Sequence, residues 1–129
     1  MPTNYTFLLV DDNVIDQLVT SKLLKKILDI PEINIVNNGK EGIQWLTNFH
    51  NLIDKQLIIL LDIRMPEMDG FEFLLEYEKL PEETKKRTQI YMLSSTLDHN
   101  DIQKAKNNKH VKKLLSKPFP IQKFKKIIT

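Results

Sequence analysis

Apolar residues fall along this chain in two alternating kinds of pattern. Short runs rich in apolar residues occupy residues 5–10, 33–36, 57–61 and 89–93, and residues 111–116, with Val111, Leu114 and Leu115, make a fifth strand candidate. Each is too brief for a typical helix, and the clearest of them, 57–61, runs through five apolar residues into Asp62. That run predicts a strand buried on both faces, the kind found inside parallel sheets, and the others are strand candidates. Between them the spacing changes to three and four residues, the mark of one apolar stripe on a helix. Ile15, Val19, Leu23 and Ile27, flanked by Leu18, Leu24 and Leu28, make one broad stripe that Pro31 stops, with Asp12 or Asn13 available as N-cap. Asn38 and Gly39 turn the chain into a second helix carrying Ile43, Trp45, Leu46 and Phe49, and residues 51–56 form a polar link.

A third helix takes its main face from Phe71, Leu74 and Leu75, with Phe73 and Tyr77 as a smaller edge, and ends before Pro81. Residues 82–88 read as a charged loop. The segment 98–108 is the weakest helix, anchored by Ile102 and Ala105 alone, and a last short helix carries Ile121, Phe124, Ile127 and Ile128. The result is five βα units with no internal repeat. Strict alternation of strand and helix predicts a doubly wound α/β domain, a five-stranded parallel sheet with helices on both faces and right-handed crossovers. At 129 residues, one domain spanning 1–129 is expected.

Composition changes this picture little. The chain is 41% hydrophobic and 28% charged, as globular proteins are. It has no cysteine, which excludes disulfides, thiolate metal sites and cysteine nucleophiles. No basic leader precedes an apolar core at the N-terminus, so neither a signal peptide nor a membrane span is expected and the reading is cytoplasmic. Charge is more telling. Residues 1–100 hold 16 acids and 10 bases, a net of −6, whereas residues 101–129 hold nine lysines against Asp101, a net of +8. A lysine run is commonly a solvated face; the sharper reading is a docking face for an acidic partner or for self-association. No aromatic side chains are interleaved with the lysines as stacking platforms, so direct nucleic-acid binding is not expected.

In a parallel sheet all the strands' carboxyl ends open on one edge, where ligands of open α/β folds bind. The polar residues at those ends are Asp11 and Asp12, Asn37 and Asn38, Asp62, Ser94 and Lys117. Each has an ordinary structural reading. Asp12 caps a helix, Asp69 before Gly70 caps or turns the chain, Ser94 bonds nearby backbone, and Lys117 is a surface lysine. Together they suggest more. Two unit charges ~4 Å apart repel by about 4 kcal/mol at an effective dielectric near 20, so crowded carboxylates call for compensation. A hard divalent cation such as Mg2+ suits them, an adjacent lysine suits phosphate, and a carboxylate so placed can attack phosphorus.

With Leu8 to Asp12, Leu60 to Gly70, Leu93 to Ser95 and Lys117 to Phe119 in this order, essentially the whole chain resembles the receiver domain of bacterial two-component response regulators, the chemotaxis regulator type. The resemblance implies the flavodoxin-like strand order 2-1-3-4-5 and a phosphorylation-controlled switch. It implies Asp62 as phosphoacceptor and Mg2+ (or Mn2+) held by Asp12 and Asp62 directly, by Asp11 through water and by the backbone carbonyl of Arg64. By the same resemblance Lys117 pairs with the phosphoryl group, Ser94 moves to hydrogen-bond it, and the Lys117–Pro118 bond is cis. Arg64 and Thr96 take the positions that tune dephosphorylation. Where many receivers carry a switching Tyr or Phe, this chain has Leu114, which departs from the pattern. Implied partners are a histidine kinase or histidine phosphotransfer protein upstream, and a protein or second copy at the face of the fourth helix, fifth strand and fifth helix. Two other readings stand beside it: a receiver-like interaction module that works without phosphorylation, and a Mg2+-dependent aspartyl-phosphate phosphatase. The second lacks its acid/base aspartate, because Arg64 occupies that position.

Overall fold

The computed structural model describes residues 5–49, 55–96 and 98–128. In chain order the elements are β1 (Tyr5–Val10), α1 (Val14–Leu28), β2 (Ile33–Val36), α2 (Gly39–Phe49), β3 (Gln56–Asp62), α3 (Gly70–Glu78), α4 (Glu82–Lys86), β4 (Thr88–Ser94), α5 (His99–Asn107), β5 (Val111–Ser116) and α6 (Ile121–Ile128). Residues 51–54 of the expected polar link, and the side chain of Phe49, lie outside the described residues.

The five strands form one sheet in the order β2-β1-β3-β4-β5, and every neighbouring pair is parallel. Because side chains alternate along a strand, the sheet has two cores. Leu8, Val10, Ile59, Leu61, Ile90 and Met92 face α2, α3 and α5, where Leu46, Phe73, Leu74, Tyr77 and Ala105 meet them. Phe7, Leu9, Ile58, Leu60, Tyr91 and Leu93 face α1 and α6, packing with Leu24, Leu28 and Phe124. Phe124 sits edge-on to Phe7 and Tyr91, with ring centroids 6.0 and 5.1 Å away. Strand β3 lies between β1 and β4, with Val10 beside Leu61 and Asp62 beside Leu93. The ends of those three strands are thereby level with one another.

Three expectations need correction. Residues 82–86 are not loop but the single-turn helix α4, and Thr88 already belongs to β4. Glu82 and Glu83 begin that turn and Lys85 and Lys86 end it, an order that complements the helix dipole. In α1 the expected stripe holds only in its second half: Leu23 and Ile27 pack against the second core beside buried Leu24 and Leu28, but Ile15 is 71% exposed and Val19 41%, and Thr20 and Ser21 are buried instead. Small hydroxyl residues take the inner side there, and the Ser21 hydroxyl donates to the Leu18 carbonyl at 3.2 Å, which makes its burial tolerable. In α3 the expected main face holds for Leu74 and for Phe71, which packs against the first core, but not for Leu75. Phe73 and Tyr77 of the smaller edge are buried and Leu75 is exposed, because α3 also packs against α2 and the stacked Phe73–Tyr77 pair fills the inner side.

Candidate functional site

Asp62 is the last residue of β3 and only 5% exposed. The backbone around it is held from both sides. Ile63 donates its N–H to the Leu93 carbonyl at 3.1 Å, and Gly70 donates to the Ile63 carbonyl at 2.8 Å. A Cβ on Gly70 would stand 2.8 Å from the Asp62 carbonyl oxygen, so only glycine lets the start of α3 come this close. Asp69 caps α3 in a reciprocal capping box with Glu72, which settles its ordinary reading.

Asp11 follows β1 and is fully buried. One of its carboxylate oxygens accepts the Asn13 N–H at 2.9 Å, and its carbonyl accepts the Gln17 amide at 2.6 Å. Asn13, not Asp12, caps α1, which leaves the exposed carboxylate of Asp12 available. Oxygens of Asp11, Asp12 and Asp62 all lie within 4.8 Å of one another.

Lys117 enters from beyond β5. Its N–H donates to the Ser94 carbonyl at 2.8 Å, and the Lys117–Pro118 bond is cis. Its ammonium lies 3.2 Å from Asp62 and 3.1 Å from Asp11, and 2.8 Å from Asp16 of α1. Ser94 is buried, but its hydroxyl bonds the Thr96 carbonyl and accepts the Thr96 N–H at 3.2 Å. Thr96 itself is exposed. Arg64 sends its side chain to Asp101 in the first turn of α5. Leu114 is half-buried against the first core and lines a groove of about 530 Å³ with Ile102, Ala105 and Val111.

Asp16 and Asp101 were missed from the sequence. Asp16 had a usable signal, since it falls in the first turn of the helix that directly follows Asp11 and Asp12. Asp101 had none, because its partner lies 37 residues away.

Burial pushes the Asp62 carboxyl up to about 6; the charges of Asp11 and Asp12 add to this and Lys117 only partly opposes it. Burial raises Asp11 as well, against its bond from Asn13 and the charge of Lys117. Burial acts to lower Lys117, yet Asp16, Asp11 and Asp62 outweigh it and hold the ammonium above the ordinary lysine value. The pocket therefore carries more negative charge than one lysine neutralises. Three crowded carboxylates without a nitrogen or sulfur donor fit a hard, oxygen-seeking divalent cation.

A parallel five-stranded fold with an acidic trio and a lysine at the carboxyl edge defines a class of regulatory phosphoacceptor domains. The response regulator receiver domain family matches residues 7–129, and the chain belongs to that family, a part of two-component signalling. A response regulator receiver protein from Dyadobacter fermentans has a structure similar to this one, with a TM-score of 0.86 at 34% identity, covering 96% of this chain and 94% of that one. The phosphorylated cyanobacterial phytochrome response regulator RcpA is also similar, with a TM-score of 0.73 at 26% identity, covering 95% and 87%. The probable chemotaxis protein CheY of Rhizobium etli is 31% identical over 125 residues, 94% of this chain and 87% of its own. The chain spans only 9% and 20% of the length of two further curated relatives that it matches. Among the described residues no helix is long and apolar enough to cross a membrane.

Proposed function

We propose that the whole chain, 1–129, acts as a phosphorylation-controlled switch in which Asp62 accepts a phosphoryl group from a phosphohistidine. The donor is a histidine kinase or a histidine phosphotransfer protein. An Asp62 carboxylate oxygen attacks phosphorus, the phosphorus–nitrogen bond to the histidine breaks, and the imidazole leaves with the electron pair. The observation that carries this reading is the approach of the Lys117 ammonium to 3.2 Å from Asp62 beside the acidic trio. Asp11, Asp12, Asp62 and the backbone carbonyl of Arg64 would hold Mg2+ (or Mn2+). When bound, that cation supplies charge neutralisation for the transferring phosphoryl group.

The protein's own residues do the rest. Lys117, aimed by its backbone bond to Ser94, offers a fixed positive charge to the phosphoryl oxygens. Ser94 leaves Thr96 and turns its hydroxyl inward, which draws in the loop that leads to α5. The face of α5, β5 and α6 is the proposed output surface. Its lysines suit an acidic protein partner or a second copy, and the groove under Leu114 is one place where such a partner gains apolar contact. Leu114 has no ring to rotate, so displacement of α5 itself carries the signal. A cytoplasmic location is part of the same proposal.

The test is labelling by a small phosphodonor, acetyl phosphate, with Mg2+ present. The wild-type protein takes up label and Asp62→Asn does not. Label retained in full by Asp62→Asn would sink the assignment, and labelling without any change in α5 or in self-association would favour a module that works independently of phosphorylation.

A further inference from the structure

Lys117 has three N–H bonds and meets three carboxylates, and the shortest contact goes outside the acidic trio. Asp16 lies 2.8 Å from the ammonium, against 3.1 Å for Asp11 and 3.2 Å for Asp62. Asp16 belongs to the first turn of α1, where its N–H donates to the Asn13 side chain at 2.9 Å, so the helix cap also fixes where its side chain departs. Its side chain is 37% exposed, while those of Asp11 and Asp62 are 0% and 7%. The ammonium is thus drawn outward by one carboxylate and inward by two.

We propose that Asp16 is a positioning residue: it draws the Lys117 ammonium partly off Asp11 and Asp62 and so leaves their oxygens accessible to a divalent cation. The inference rests on the phosphoacceptor reading and deepens it. An ammonium and a hard cation compete for the same oxygens, and the ammonium has only three N–H bonds to distribute. With Asp16 in place, one of them is engaged away from the trio. Without it, the ammonium settles onto Asp11 and Asp62, and a cation must displace it. Asp16→Asn retains the size and the helix position while removing the charge that attracts Lys117.

The experiment is Mg2+ titration of the full chain by calorimetry at pH 7, in the wild type, Asp16→Asn, Lys117→Met and the double variant. Asp16→Ser serves as a second version, and thermal melts show that each is folded. The expected result is Mg2+ binding about fivefold weaker in Asp16→Asn, as for loss of one partly exposed ion pair. In the Lys117→Met background the same substitution should have little effect, because no ammonium is left to position. Equal losses in both backgrounds would mean that Asp16 acts only as a distant charge, and would overturn the proposal, as would no loss on Asp16→Asn in the otherwise wild-type protein. A wild type that takes up no Mg2+ would overturn the phosphoacceptor reading itself, so the two failures are distinguishable.

Discussion

Asp101, buried in the first turn of α5, is ion-paired with Arg64, which stands two residues beyond Asp62. Its side chain is 6% exposed and that of Arg64 59%, so the arginine reaches from the surface to cover a carboxylate that has left water. The loop behind the proposed phosphoacceptor is therefore tied directly to the helix of the proposed output face. That tie offers a mechanical connection where Leu114 offers no aromatic switch.

Removing Arg64 leaves Asp101 buried without this partner. Arg64→Ala is expected to lower stability in urea unfolding by about 1–3 kcal/mol, the range for an uncompensated buried polar group. Asp101→Asn should cost less, and the double variant less than the sum of the two. Strict additivity would show that the pair is not coupled.

The raised Asp62 carboxyl makes a stability prediction of opposite sign. A carboxyl whose folded value lies near 6, above the ordinary 3.8, destabilises the fold when ionised. The destabilisation is complete above pH 6 and disappears as pH falls toward 4. Asp62→Asn should therefore stabilise the metal-free protein by about 1–3 kcal/mol at pH 7 and by little at pH 4, as read from paired thermal or urea melts.

The same shift governs cation binding. Protons must leave Asp62 before its oxygens can hold a cation, so Mg2+ affinity should rise with pH to about 6 and level off above it. Calorimetry in buffers of different ionisation enthalpy should detect proton release at pH 5.5 that is nearly absent at pH 7.5. A pH-independent affinity would contradict the burial argument.

Gly70 offers a test of the scaffold. A Cβ there would stand 2.8 Å from both the Asp62 carbonyl oxygen and the Met92 methyl carbon, and 3.1 Å from the Ile63 Cα. Met92 can swing aside, but the backbone atoms cannot do so without moving Asp62. Gly70→Ala is expected to cost about 1–3 kcal/mol in unfolding and to shift the backbone amide resonances of residues 62 and 63.

Much of this molecule could be read from the chain. A strand buried on both faces must be apolar throughout, so β1, β3 and β4 stand out as runs. In a parallel sheet their polar successors share one edge by topology, whatever the details of packing. Asp11, Asp12, Asp62, Ser94 and Lys117 were legible for that reason. The short helix α4 was not, because its ends are marked by charge and Pro81 and it carries no apolar stripe.

The orientation of each helix against the sheet was decided by tertiary structure. Hydropathy alone turns Ile15 and Val19 inward, yet Thr20 and Ser21 occupy the inner side of α1, since a hydroxyl that can bond its own helix backbone can be buried at little cost. The charge partnerships followed the same rule. Asp16 meets Lys117 across 101 residues and Asp101 meets Arg64 across 37. Local spacing places a carboxylate on a helix, but only the folded crossings of α1 and α5 over the sheet select the cation that it meets. By itself the sequence determined which groups gather at the edge; the packing of helices determined how Lys117 is shared among them and how Arg64 ties the site to α5.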